Sequence, residues 1–196
     1  MKKLIVFSML TLLMSSCIIS LHPLYDTKTM VKEIKINGRW LDQNGESPSE
    51  WVFKAKHKND GSFTGKYQLD HTTEGYTYEY EAVLLKLGQT YYLDILVDGP
   101  VEVESGNDGP ILASFIPSHN FYKIEFGPAN QMKIYPFDGD RLDKLVRQRK
   151  IRIKHEMVDG TMVVTANTED LQKFLVKYAQ DKEAFDEPLF IQKTVD

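Results

Sequence analysis

The chain holds one thiol, Cys17, and its setting directs its chemistry more clearly than any other residue's. Lys2 and Lys3 precede the apolar run Leu4–Met14, and Ser15-Ser16-Cys17 follows. A basic start, an apolar stretch and a small-residue cleavage site compose a secretory signal. A cysteine placed directly after the cut offers its sulfur to a diacylglycerol group. One cysteine cannot close an intramolecular disulfide, so no covalent framework competes for it. The apolar run is also broken by serine before it reaches the ~20 residues that a spanning helix needs. The spacing therefore predicts a lipoprotein signal peptide over 1–16, cleavage before Cys17, and acylation of Cys17 with palmitate-type chains. Each buried methylene contributes about 0.8 kcal/mol, so two or more chains hold a protein firmly to a bilayer.

The other candidate groups do not assemble into a reaction. Four histidines lie in the body of the chain: His57, His71, His119 and His155. A helical zinc site needs a second histidine after His-Glu-x-x, but Met157, Val158 and Asp159 follow His155-Glu156. Ser114, Ser118 and His119 are sequence neighbours, yet a nucleophilic triad is defined in space, and no Gly-x-Ser-x-Gly elbow is present. Glycoside hydrolysis needs two carboxylates flanking a cleft, and 28 acidic residues single out no pair. Glu102, Glu104, Asn107 and Asp108 offer oxygens suited to calcium without the spacing of an EF-hand loop; a solvated acidic loop accounts for them. No catalytic residue, metal or cofactor is assigned. Binding is favoured over catalysis, and a hydrolase stays open as a third class.

Aromatic side chains are the remaining resource. Trp40, Trp51, Phe53, Tyr78, Tyr80 and Tyr91 fall in alternating stretches and are the candidates for the wall or floor of an apolar ligand site. The competing account places such residues in the core or in cross-strand pairs.

These side chains need strands to position them, and the chain supplies them. Hydrophobic residues make up 42% and charged residues 27%, a globular balance. Period-two alternation runs through Ile34–Trp40, Trp51–Lys56, Phe63–Leu69, Tyr76–Leu84 and Tyr91–Val97, with a hairpin signal at Asn59-Asp60-Gly61. Asp98–Pro110 is an acidic loop or distorted hairpin, and Ile111–Ile116 fits either a helix or a strand. Two strands follow at Asn120–Phe126 and Met132–Phe137. Helical spacing then takes over at Asp138–Arg149, and again from an N-cap at Thr168 to about Gln180. A strand pair is expected at Ile151–Glu156 and Thr161–Thr165, and a closing strand at Leu189–Ile191. The fold class is thus mostly β (α+β): an antiparallel barrel or strongly curved sheet of about seven to nine strands with one or two C-terminal helices. Residues 17–30 form the acylated cysteine and a tether whose Leu21, Leu24 and Tyr25 dock back on the body, and 31–196 form a single β-rich domain.

The stretch Ser20-Leu21-His22-Pro23-Leu24-Tyr25 resembles a family of uncharacterised bacterial lipoproteins that carry it shortly after the acylated cysteine. Gly38-Arg39-Trp40, the leucine-rich Leu142–Arg149, His155-Glu156 and Leu171-Gln172-Lys173-Phe174-Leu175 complete the resemblance. It implies a lipid anchor and no particular activity. Gly38-Arg39-Trp40 is also similar to the lipocalin signature, which implies a ligand-holding barrel closed at one end by the tryptophan. Ile18, not aspartate, follows Cys17. Under the sorting rule of Gram-negative lipoproteins this implies the outer membrane, facing the periplasm. The net charge of −4 gives no electrostatic attraction to nucleic acid. The sequence thus predicts a non-catalytic module for an apolar small molecule or lipid, with a protein-interaction or structural accessory of the cell envelope as the alternative.

Overall fold

The structure, a computed structural model, describes residues 19–42, 49–98, 101–104, 110–113, 117–158 and 161–194. Cys17 and the signal segment lie outside the described residues. The strands are β1 (Ile19–Ser20), β2 (Gly38–Asp42), β3 (Ser49–His57), β4 (Phe63–Thr73), β5 (Tyr76–Leu87), β6 (Thr90–Val97), β7 (Val101–Glu104), β8 (Pro110–Ala113), β9 (Ser118–Phe126) and β10 (Gln131–Pro136). Helix α1 (Gly139–Arg147), β11 (His155–Val158), β12 (Thr161–Val164), helix α2 (Thr168–Tyr178), a 3-10 turn (Lys182–Ala184) and β13 (Leu189–Lys193) complete the order.

Eight antiparallel strands close into a barrel in the order β2-β3-β4-β5-β6-β9-β10-β13, with β13 returning to β2. The expected mostly-β barrel with two C-terminal helices is what the chain forms. The far edge of β9 is divided: Tyr122–Phe126 pair with β10, while His119 and Asn120 pair with β1. Strand β1 runs parallel to β12, and β11 completes this side sheet. Of the ambiguous Ile111–Ile116, residues through Ala113 belong to β8, which pairs antiparallel with β7 of the acidic insertion; residues 99–100, 105–109 and 114–116 lie outside the described residues.

Alternation writes one set of side chains inward. Trp40, Phe53, Tyr67, Leu69, Ala82, Leu84, Leu93, Ile95, Ile124, Met132, Ile134 and Ile191 are buried together inside the barrel. The opposite face of β5, β6 and β9 is apolar too: Leu85, Leu87, Tyr92 and Phe121 form a second core with Leu24, Leu142, Ile151, Val164, Leu171 and Leu175. Both helices and the tether therefore pack on the outside of one barrel wall. This is why β5 and β6, expected from their alternation, carry buried apolar side chains on both faces.

Three sequence expectations shift. The first strand begins at Gly38, not Ile34; Ile34 is exposed, whereas Ile36 turns into the barrel. Gly38 has φ +116, and a Cβ there would meet Lys193 Cε at 2.8 Å, so only glycine starts β2 in this place. The cap of α2 is Asn167, whose side chain accepts from Asp170 N–H; Thr168 is freed for another bond. Ile151–Lys154 form no ladder, and the last hairpin starts at His155.

Candidate functional site

One end of the barrel is sealed. Ile36, fully buried, plugs it, and its carbonyl accepts from Trp40 Nε1 at 2.9 Å. Lys35 N–H donates to Tyr67 Oη at 3.3 Å. Met30 and Val31 wedge beside β5, with Val31 N–H donating to Leu84 O at 2.9 Å. Gly65 has φ +89, a conformation that favours glycine, and the Met30 side chain lies over it, with Cε 2.6 Å from where a Cβ would sit.

The opposite end is where β3 and β5 begin and β2, β4 and β6 finish. Register places Trp51 opposite His71, His71 opposite Tyr78, and Leu69 opposite Tyr80. The Trp51 and His71 rings lie 4.4 Å apart. Burial alone lowers the His71 pKa, so this ring is held neutral against the indole. Trp51 is only 7% exposed, yet its Nε1–H has no acceptor. On the far wall Asn120 Oδ1 is buried without a donor. Buried polar groups are ordinarily paired, and each orphan costs about 1–3 kcal/mol. A buried donor and a buried acceptor thus both lack a partner toward the same end of the barrel, beside the apolar interior.

The six aromatic candidates divide accordingly. Trp40 and Phe53 lie in the filled interior, Trp51 stands at the mouth, and Tyr80 packs against the same core from a half-buried position. Tyr78 is 47% exposed at the rim. Tyr91 belongs to the sealed end, where its ring packs against Phe126 and receives the Lys35 and Lys86 ammonium groups. The mouth therefore gathers Trp51, Tyr78 and Tyr80 but not Tyr91. His71 and Asn120 join it from outside the candidate set.

A second polar constellation sits on the outer face. Asp94 is 1% exposed; its Oδ1 lies 2.6 Å from His119 Nδ1, and its Oδ2 accepts from Leu24 N–H at 2.7 Å. Desolvation raises the Asp94 pKa, outweighing the bond from His119. Thr168 Oγ1 donates to Pro23 O at 2.8 Å, and Gln172 Nε2 donates to Leu24 O at 2.9 Å. Ser20 is fully buried, and its hydroxyl caps the turn at His22. The Ser20–Tyr25 motif and the start of α2 are thus two sides of one clamp. Sequence reasoning missed the Asp94–His119 pair. The signal was a lone carboxylate on β6 between the apolar Tyr92 and Leu96, on a strand apolar on both faces. A buried aspartate and histidine suggest acid–base chemistry, but both oxygens of Asp94 are spent on holding the chain together.

Among the described residues, no group of three or more His, Cys, Asp or Glu is placed to hold a metal ion, and no helix is long and apolar enough to cross a membrane. Comparison with protein-family profiles, with curated proteins and with solved structures finds no match.

Proposed function

We propose that the chain is an envelope lipoprotein, acylated at Cys17 and held at the outer membrane facing the periplasm, whose barrel mouth binds an apolar small molecule or lipid by its polar end. The observation that carries the binding half is the pair of unsatisfied groups at the mouth, Trp51 Nε1 and Asn120 Oδ1. A polar ligand group that accepts from the indole N–H would satisfy Trp51, and one that donates to the carboxamide oxygen would satisfy Asn120. The filled interior limits the depth of entry. The ligand's apolar part rests among Trp51, Tyr80 and Tyr78 and does not thread through the barrel. The anchoring half rests on the signal at Lys2–Cys17 and on the clamp, which fixes the chain to the barrel from Ile19 onward. A second reading, docking of another envelope protein, draws on Tyr76 and Tyr78, which are 68% and 47% exposed beside each other on the β4–β5 hairpin.

Two measurements test the proposal. Intact mass of the membrane-extracted protein is expected to show the acyl adduct, absent in Cys17→Ser; an unmodified mass removes the anchor. Organic extraction of purified protein is expected to release a bound amphiphile from the wild type and much less from Trp51→Phe, which removes the unpaired donor while keeping an aromatic ring at the position. Equal yields from the two proteins reject the mouth as the site. An empty wild type that cross-links through Tyr76 and Tyr78 to another protein moves the assignment to the second reading.

A further inference from the structure

The chain is acidic overall at −4, yet Lys144, Arg147, Arg149, Lys150, Arg152 and Lys154 follow one another with no carboxylate between them. The fold turns this run outward. Ile151 and Ile153 alternate into the second core, so Arg152 and Lys154 project to solvent, and Arg149 and Lys150 are exposed at the turn after α1. Helix α2 lies alongside and adds Lys173 and Lys177. A cleft of about 310 Å³ between the two is lined by the cations Arg152, Lys154, Lys173 and Lys177, by one carboxylate, Asp170, and by apolar groups that include Phe174 and Tyr178. Some of these charges have partners: Arg147 pairs with Asp143, and Lys173 pairs with Glu169 and approaches Asp170. Among the described residues, Arg149, Lys150, Arg152, Lys154 and Lys177 show no ion pair. Lys144 and Arg147 are explained by the C-terminal dipole of α1; the cations beyond it are not.

The cluster also has a defined place. His155, next to Lys154, is opposite Val164, and Val164 is opposite Ser20. Strand spacing puts His155 about 10 Å from Ser20. The three residues from Ser20 back to Cys17 reach at most about 10 Å further. A bilayer holding Cys17 thus lies within about 20 Å of the near end of this patch, and the attraction of a cation for an anionic surface, which acts over about one Debye length, 8–10 Å, takes hold where the body tilts that end onto the surface.

We propose that Arg149, Lys150, Arg152, Lys154 and Lys177 form a docking surface for the anionic phosphate head groups of the bilayer that carries the anchor. The choice of a bilayer as the source of phosphate rests on the anchored reading above; the cation cluster itself does not. The test uses the mature chain, residues 17–196, as Cys17→Ser, so that neither an acyl group nor the apolar run Leu4–Met14 contributes, with vesicles of phosphatidylcholine alone or mixed with phosphatidylglycerol. Sedimentation with the mixed vesicles is expected at low salt, with loss at high salt and no binding to the neutral ones. Neutralising four positions together (Arg149→Gln, Lys150→Gln, Arg152→Gln, Lys154→Gln) is expected to weaken partitioning by about a hundredfold or more. Lys177→Glu, on a different element, is expected to weaken it as well and guards against a fold defect in the first variant. Equal binding to both vesicle types, or unchanged binding of both variants, overturns the proposal. Complete competition by inorganic phosphate at matched ionic strength also overturns it, by showing a site for a small anion. Acylation is read separately from the intact mass of the wild type, so failure of the anchor and failure of the patch are distinguishable.

Discussion

Asp94 illustrates how one carboxylate governs a chain crossing. It bonds a histidine from β9 and a backbone N–H from the tether while almost fully buried. Replacing it by alanine leaves both partners without an acceptor, and a loss of about 3 kcal/mol is expected in urea denaturation. The pH dependence is also fixed in sign. Because burial raises the Asp94 pKa above its unfolded value, the stabilising contribution is complete below the unfolded value of about 3.9 and is lost as pH rises through the folded one. The stability of the wild type relative to Asp94→Asn should therefore decline with rising pH. His71 carries the opposite sign. Its folded pKa is depressed by burial, so stability is present above the unfolded value of about 6.5 and falls below it. Denaturation of His71→Phe followed from pH 7.5 to 5 should lose less than the wild type does, and an equal loss would place the acid-sensitive group elsewhere. At the mouth the expectation reverses: Trp51→Phe deletes an unpaired donor, and its melting temperature should hold or rise while ligand retention drops.

At the scale of elements, the clamp between the tether and α2 makes the N-terminal stretch part of the body. Leu24 is fully buried against Leu171 and Leu175 in the second core. Leu24→Ala should cost about 3 kcal/mol and expose Ser20–Tyr25 to limited proteolysis, whereas Gln172→Ala, losing one bond to Leu24 O, should cost about 1 kcal/mol. Much of this level was legible. Period-two patterning located β3, β4, β5, β6, β9 and β10 because each has a clear inward set, and the apolar stripe Leu171–Leu175 located α2. The docking of Leu24 was visible in its apolar neighbours. The start of β2 was not, because Ile34 and Ile36 continue the alternation through a glycine whose positive φ breaks the strand. The cap of α2 was misplaced by one residue because Asn167 and Thr168 are both good caps, and only the tertiary bond from Thr168 to Pro23 decides between them. The mouth was half legible. Trp51, Tyr78 and Tyr80 follow from alternation, but His71 and Asn120 reach it only through the register of β3 with β4 and of β6 with β9.

For the whole molecule, the barrel is asymmetric in three respects: one end plugged by Ile36 and the other ringed by Trp51, His71 and Tyr78, one wall doubly covered, and one flank basic. The covered wall is where the termini of the alternating pattern fail, since β5 and β6 serve two cores at once. Closure joins β13 to β2 across most of the sequence, so native contacts are predominantly distant and folding should be slow for a chain of this size. Strand β1 sharpens that consequence. Its strand partners are β9 and β12, both distant in sequence, and the clamp above it waits for α2. In a chain made from its N-terminus, Ile19–Tyr25 comes first, gains β9 only when residue 120 has followed, and gains β12 and the clamp only with residues 164 to 172. The final sixth of the chain is thus what draws this leading stretch against the wall. Under the anchored reading proposed above, that delay is the interval in which the segment ahead of Ile19 can be handled before the body is complete.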